Sequence, residues 1–169
     1  MNILGIIPAK SKSYRFPGKN ARFFHDVADK MLKSSVEDVI VASDDTAILE
    51  ASYKMGCKTF IRNEKEVDMN LPVIDLLKHV YLSLDTEYTH ILCIFGCCIN
   101  VTVDAIQAII EMAHRDKDAQ EVRSFTKNGY ENGMFLLTKE RLMEGHISSY
   151  LAAVHNNLVE IHEPGQLTE

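Results

Sequence analysis

The strongest constraint in this 169-residue chain is an alternation, met four times between Leu4 and Ala113, of a short apolar run and a helical stripe. Leu4 to Pro8 reads as a buried strand, and Ala21 to Ser35 then sets Phe24, Val27, Ala28, Met31 and Leu32 on one helical face. Asp38 to Ser43 is a second strand, followed by Asp44-Asp45 as a helix cap, a helix from Thr46 to Met55, and Gly56 past its end. Cys57 to Arg62 is a third strand, and Asn63 to Asn70 a polar loop. Asn70 caps a helix with Pro72 in its first turn and a stripe of Ile74, Leu77, Val80, Tyr81 and Leu84. Tyr88 to Phe95 is a fourth strand, and Thr102 caps a helix bearing Ile106, Ile109, Ile110 and Ala113. Strands that are apolar throughout and separated by helices predict a mostly parallel sheet covered on both faces, a three-layer Rossmann-like α/β fold. Past residue 120 the pattern loosens: Glu121 to Thr126, Gly133 to Thr138 and Leu158 to His162 are candidate strands, with a helix from Lys139 to Glu144. With 46% hydrophobic residues and no convincing linker, the expectation is one domain.

In open sheets of this kind, ligands bind beyond the carboxyl ends of the strands. The first such end carries Lys10, Lys12, Arg15, Lys19 and Arg22 within thirteen positions, in a chain whose net charge is −6. Hydroxyls at Ser11 and Ser13 and the turn at Pro17-Gly18 lie between and beside these cations. A basic loop that opens a helix suits polyphosphate, because cations, hydroxyls, backbone N–H groups and the helix N-terminus all favour negative charge. Neither GxxxxGK[ST] nor GxGxxG is present, so the loop is not a Walker A or a dinucleotide fingerprint.

Residues Ile7-Pro8-Ala9, Ser13, Pro17 and Lys19-Asn20 match the signature I-P-A-R-x-G-S-x-x-x-P-x-K-N of the acylneuraminate cytidylyltransferases, and the chain resembles that family. Lys10 stands at the Arg of the signature and Lys12 at its Gly. The stretch VIVASDDTAILEASYKMGCKTFIR is similar to the family's second strand, helix and third strand, with Asp44, Asp45 and Arg62 matching. The resemblance implies a nucleotide-diphospho-sugar transferase fold and transfer of CMP from CTP to a sugar acid of sialic type, with release of pyrophosphate. It also implies a nucleotide site made by Ala9, Lys10, Ser13, Lys19, Asn20 and Arg62, with Lys10, Arg15 and Lys19 on the triphosphate as the catalytic cations. Asn132-Gly133 falls at a family Asn-Gly associated with substrate. A Mg²⁺ cofactor is implied as well, and the family's C-terminal Asp-x-Asp corresponds here to Glu160 and His162. Imidazole suits transition metals better than Mg²⁺.

Departures mark the second half. The family's L-Q-P-T-S-P-L-R turn is Cys93-Ile94-Phe95-Gly96-Cys97-Cys98-Ile99-Asn100 here, its Thr/Ser-rich nucleotide segment is Leu71-Pro72-Val73, and a stretch that builds its dimer interface is absent between Ala119 and Gly129. The alternative reading is therefore a nucleotide-binding or interaction protein of the same fold that has lost catalysis, and a third is a nucleotidyltransferase of other substrate choice. Acidic net charge argues against a nucleic-acid or membrane-surface partner. Four cysteines without CxxC or zinc spacing, and a start lacking a basic leader, lead to an expectation of reduced thiols in the cytoplasm. His25, His79, His90, His114, His146 and His155 form no HExxH or Ser-His-Asp pattern.

Overall fold

In the computed structural model, residues 1–67, 71–145 and 151–167 are described. The N-cap expected at Asn70 and the expected placement of His146 fall outside them. The elements in chain order are β1 (Ile3–Pro8), α1 (Lys19–Leu32), β2 (Asp38–Ser43), α2 (Thr46–Lys54), β3 (Lys58–Ile61), α3 (Glu64–Val67), α4 (Val73–Leu82) and β4 (His90–Ile94). They continue with β5 (Cys98–Ile99), α5 (Val103–Arg115), β6 (Glu121–Phe125), β7 (Glu131–Thr138), α6 (Lys139–Glu144), β8 (Ala152–His155) and β9 (Val159–Glu160).

One sheet takes the order β3-β2-β1-β4-β7-β6-β8. β3, β2, β1 and β4 are mutually parallel, β7 runs antiparallel to both β4 and β6, and β8 is parallel to β6. The sheet is thus mostly parallel, with β7 reversed within it. Side chains of β1 alternate between two cores, as a pleated strand requires. Ile3 and Ile7 join Phe24, Val27 and Met31 of α1 and Ile106 and Ile109 of α5, while Leu4 and Ile6 join Leu77, Val80 and Tyr81 of α4 and Leu142 of α6. Helices therefore cover both faces, as the alternation predicts. Gly5 makes the fit of α1 possible, since a Cβ there would lie 2.3 Å from Met31 Sδ.

Local capping chemistry explains where three of the helices start. Thr102 accepts a bond from Ala105 N and Thr138 one from Arg141 N, starting α5 and α6. Pro72 is the N-cap of α4 rather than a member of its first turn, and Leu76 replaces Ile74 as a fully buried residue of its stripe. The expected strand from Leu158 to His162 is regular only at Val159–Glu160, where β9 pairs antiparallel with β5 in a separate small sheet. That pairing sets Glu160 opposite Cys98 and carries the C-terminal segment to the carboxyl ends of β1 and β4. Among the described residues, no helix is long and apolar enough to cross a membrane.

Candidate nucleotide site

The parallel strands β1, β2, β3 and β4 end around a cleft of about 190 Å³. Lys10, Lys19, Asn20 and Arg62 bring its polar lining, Leu71, Val73, Leu76 and Phe95 its apolar lining, and Cys97 and Glu160 face it as well. The sheet itself explains the convergence. Pro8 ends β1, Ser43 ends β2 with its carbonyl accepting from Arg62 N at 2.9 Å, and Gly96 N donates to Pro8 O at 3.0 Å. A Cβ on Gly96 would lie 3.0 Å from Ala9 Cβ and 3.2 Å from Pro8 O, so a larger residue would force the β4 turn off the end of β1.

The loop from Ala9 to Gly18 is fastened at each of its first three residues. Ala9 is fully buried, its N–H bonding Ala42 O at 2.9 Å and its carbonyl accepting from Ser43 Oγ at 2.6 Å. Lys10 O accepts from Asn20 Nδ2 at 2.7 Å, and Ser11 N donates to Asp44 Oδ1 at 2.7 Å while Ser11 Oγ donates to Asp44 Oδ2. The loop ends at Gly18, whose φ of 75° lies in the left-handed region that glycine tolerates, and no side chain caps α1 there. Lys19 N bonds Phe16 O at 3.3 Å, and Gly18 has no side chain to cap the N–H groups that follow it.

Asp44 and Asp45 divide the labour the sequence assigns to both. Asp45 caps α2 through Ala47 N at 2.9 Å, whereas Asp44 turns back to the loop. Burial opposes ionisation of Asp44, but the Ser11 hydroxyl and amide, aided by the Arg62 charge, outweigh it and hold the carboxyl below its usual range.

The C-terminal segment supplies the acidic side of the site. Glu160 lies 3.8 Å from His162 Nδ1, and Cys97 Sγ donates to it at 4.0 Å. Burial pushes the Glu160 carboxyl up, with the charges of His162, Lys19 and Arg15 pulling it back. Lys19 Nζ donates to Ile161 O at 2.8 Å, and Arg15 Nη2 stands 3.4 Å from His162 Nδ1. Gln166 Oε1 accepts from the His162 and Glu163 N–H groups at 2.6 and 2.8 Å, turning the chain away after Glu160.

Lys10, Lys19, Asn20, Arg62 and Glu160, expected from the sequence, thus share one cleft, with Arg15 and His162 facing each other beside it. The remaining expected residues are placed otherwise. Ser13 Oγ accepts from Phe16 N at 3.4 Å within the loop, and the Asn20 amide is directed to Lys10 O. Asn132 is buried, with its Nδ2 donating to Asn156 Oδ1 at 2.8 Å. Gly133 (φ 80°) stands behind Glu160: a Cβ there would lie 3.2 Å from Glu160 Oε2, 3.1 Å from Phe95 and 3.0 Å from Cys98 Sγ. Cys97, Leu71 and Val73 stand where the resembled motifs carry polar residues, and Leu76, a stripe residue of α4, reaches the cleft without any signal in the sequence.

As donors for a divalent ion, Glu160 and His162 differ. Mg²⁺ is commonly held by one or two carboxylates together with phosphates and water, and the Glu160 carboxylate on the cleft fits that role. His162 faces the Arg15 guanidinium and does not. Among the described residues, no three His, Cys, Asp or Glu side chains come together to hold a metal by themselves.

A mostly parallel three-layer sheet with a cationic cleft beyond its first strand ends defines an α/β protein of the Rossmann-like type. The chain belongs to the cytidylyltransferase family, whose model matches residues 4–154. A CMP-N,N'-diacetyllegionaminic acid synthase of Legionella pneumophila is 32% identical over 89 residues, 46% of this chain and 38% of that protein. A pseudaminic acid cytidylyltransferase of Campylobacter jejuni is 25% identical over 122 residues, 66% of this chain and 53% of the relative. The matches thus span about two fifths and about half of the lengths of these curated relatives. In three dimensions the chain is similar to a CMP:2-keto-3-deoxy-manno-octonic acid synthetase solved with CTP, at a TM-score of 0.81 and 13% identity, covering 99% of this chain and 96% of that one.

Proposed function

We propose that the chain transfers CMP from CTP to the hydroxyl of a sialic-type sugar acid. In the reaction the acceptor oxygen forms a bond to the α-phosphorus, the bond to the bridging oxygen of the β-phosphate breaks, pyrophosphate leaves, and the hydroxyl proton passes to solvent. The observation that carries this reading is the meeting of Lys10, Lys19 and Arg62 at one cleft beyond the strand ends, in a chain of the cytidylyltransferase family. The matched relatives, named for diacetyllegionaminic acid and pseudaminic acid, support the sugar-acid class of acceptor.

Most of such catalysis is positioning and charge neutralisation. Lys10 and Lys19 take the triphosphate oxygens, the N–H groups of α1 beyond Lys19 add donors, and Arg15 meets the outer phosphates from beside the cleft. Arg62 holds the nucleotide against the apolar wall of Leu71, Val73 and Leu76. Asn20 acts through Lys10, whose carbonyl it binds. Mg²⁺ when bound supplies further charge neutralisation across the phosphates, and Glu160 is the residue that would hold it.

The test is a calorimetric titration with CTP, UTP, ATP and GTP, with and without Mg²⁺, followed by a pyrophosphate-release assay with nonulosonic acids. CTP-selective binding and acceptor-dependent release are expected. Failure of every nucleotide to bind overturns the reading; CTP binding without release under any acceptor favours the non-catalytic alternative.

A further inference from the structure

We infer that Asp44 is a positioning residue for the phosphate-binding loop, holding Ser11 and through it Lys10 in place at the cleft. The inference rests on the reading of that cleft as a nucleotide site.

An acidic side chain beside a cationic anion-binding loop opposes the attraction the loop exists to provide, so its presence needs a reason. Capping is not that reason, because Asp45 caps α2. Both oxygens of Asp44 are instead committed to one residue, Ser11, through its N–H at 2.7 Å and its hydroxyl. Such a two-point grip fixes both the backbone and the side chain of the residue directly after Lys10.

The neighbouring bonds show what the grip completes. Ser43 fixes the carbonyl of Ala9 and Asn20 that of Lys10, so Lys10 is bracketed by anchors on either side. With Asp44 removed, the downstream anchor is lost and, of the bonds described for the loop from Ser11 to Gly18, its own turn, α1 and the Arg15–His162 contact remain. Asp44 also lies in the field of Arg62, so one carboxylate governs two of the cations on the cleft: Lys10 through Ser11, and Arg62 by its charge. A lysine held in advance loses less freedom on meeting phosphate, which raises affinity without a new contact.

The experiment compares Asp44→Ala, Asp44→Asn and Ser11→Ala with the wild type by CTP calorimetry and by amide hydrogen exchange of residues 9–18 in the free protein. Asp44→Ala is expected to weaken CTP about tenfold and to speed exchange of the Ser11 amide. Asp44→Asn, whose amide oxygen still accepts from Ser11 N, is expected to recover most of the exchange protection. Ser11→Ala, which loses only the hydroxyl arm, is expected to fall between, and to add nothing further on top of Asp44→Ala. A stability role alone would lower the melting point of Asp44→Ala while leaving the CTP affinity of the folded protein unchanged; that outcome, or unaltered exchange in all three variants, overturns the inference. Faster exchange in Asp44→Ala, with a wild type that binds no nucleoside triphosphate, upholds the grip on the loop and overturns the nucleotide reading instead.

Discussion

Lys19 Nζ donates a 2.8 Å hydrogen bond to the carbonyl of Ile161, joining the first turn of α1 to the C-terminal segment. The same ammonium lines the cleft and lies in the field of Glu160, so one cation closes the site and contributes to its charge. Lys19→Met keeps the aliphatic stem and removes only the charge and the bond. CTP affinity measured by calorimetry is expected to fall at least tenfold, while Lys19→Arg loses less. Equal affinity in Lys19→Met and the wild type would remove Lys19 from the phosphate site.

Gly133 is the backbone position on which Glu160 rests. A side chain there meets both a φ of 80° and contacts of 3.0 to 3.2 Å with Cys98, Phe95 and Glu160. Gly133→Ala is expected to destabilise the protein by about 1–3 kcal/mol, measured by urea unfolding. A loss below about 0.5 kcal/mol, the range of ordinary surface substitutions, would show that β7 yields easily.

Reading the chain alone reaches far into this architecture, and its failures have physical causes. β2 and α6 have their expected bounds because β-branched runs and a Thr cap are strong local signals. The reversal of β7 carries no such mark, since an apolar strand reads the same in either direction. β5 is two residues long, too short for any periodicity to register, while β9 keeps two residues of the strand expected from Leu158 to His162. At the site, the cations of the loop were legible from charge density, but Asp44 and Asp45 look alike in sequence and separate only once β1 lies beside β2. Asn132 was named through the family resemblance alone, and its bond to Asn156 from inside β7 had no local signal in the sequence.

At the opposite end of the strands, Tyr88 and Asp38 form a pair that shapes the pH dependence of stability. Burial of Tyr88, then its bond to Asp38, pushes the phenol up to about 12. Asp38 is held below its usual range because the bonds from Tyr88 and Lys58 outweigh its burial. A lowered carboxyl contributes stability that is full above the unfolded value of 3.8 and is lost as pH falls through the folded value. A raised phenol contributes stability that is full below its ordinary value of 10.0 and is lost as pH rises towards about 12. Asp38→Asn is therefore expected to flatten both limbs of an unfolding-versus-pH curve and to bring one phenol to lower pH in an ultraviolet titration. An unchanged titration would exclude the pairing.

All four cysteines are free and buried, and burial raises Cys57 to about 11. Thiolate rather than thiol is the reactive form. A disulfide reagent at pH 8 is expected to label the native protein slowly and all four thiols rapidly in urea. CTP is expected to slow the labelling of Cys97 in particular, since its thiol faces the cleft. Rapid native labelling of Cys93 or Cys98, which lie in the interior, would contradict the packing around β4 and β5.

Glu160 makes the sharpest separation between metal-dependent and metal-free binding. On the proposed nucleotide reading, its carboxylate would oppose the triphosphate in the absence of an ion and offer a hard oxygen ligand in its presence. Glu160→Gln preserves shape and removes the charge, so the two effects move in opposite directions. In chelator, CTP is expected to bind the variant about three- to tenfold more tightly than the wild type, a range typical of one charge contact near a surface. With Mg²⁺, the gain in affinity that the ion brings is expected to shrink by a similar factor. His162→Asp tests the neighbouring position: a second carboxylate there would supply the oxygen ligand that the imidazole does not, and the Mg²⁺-dependent gain is expected to grow. If Glu160→Gln left the Mg²⁺ increment intact, the ion would be held by the phosphates and water alone, and Glu160 would serve only to balance Lys19 and Arg15.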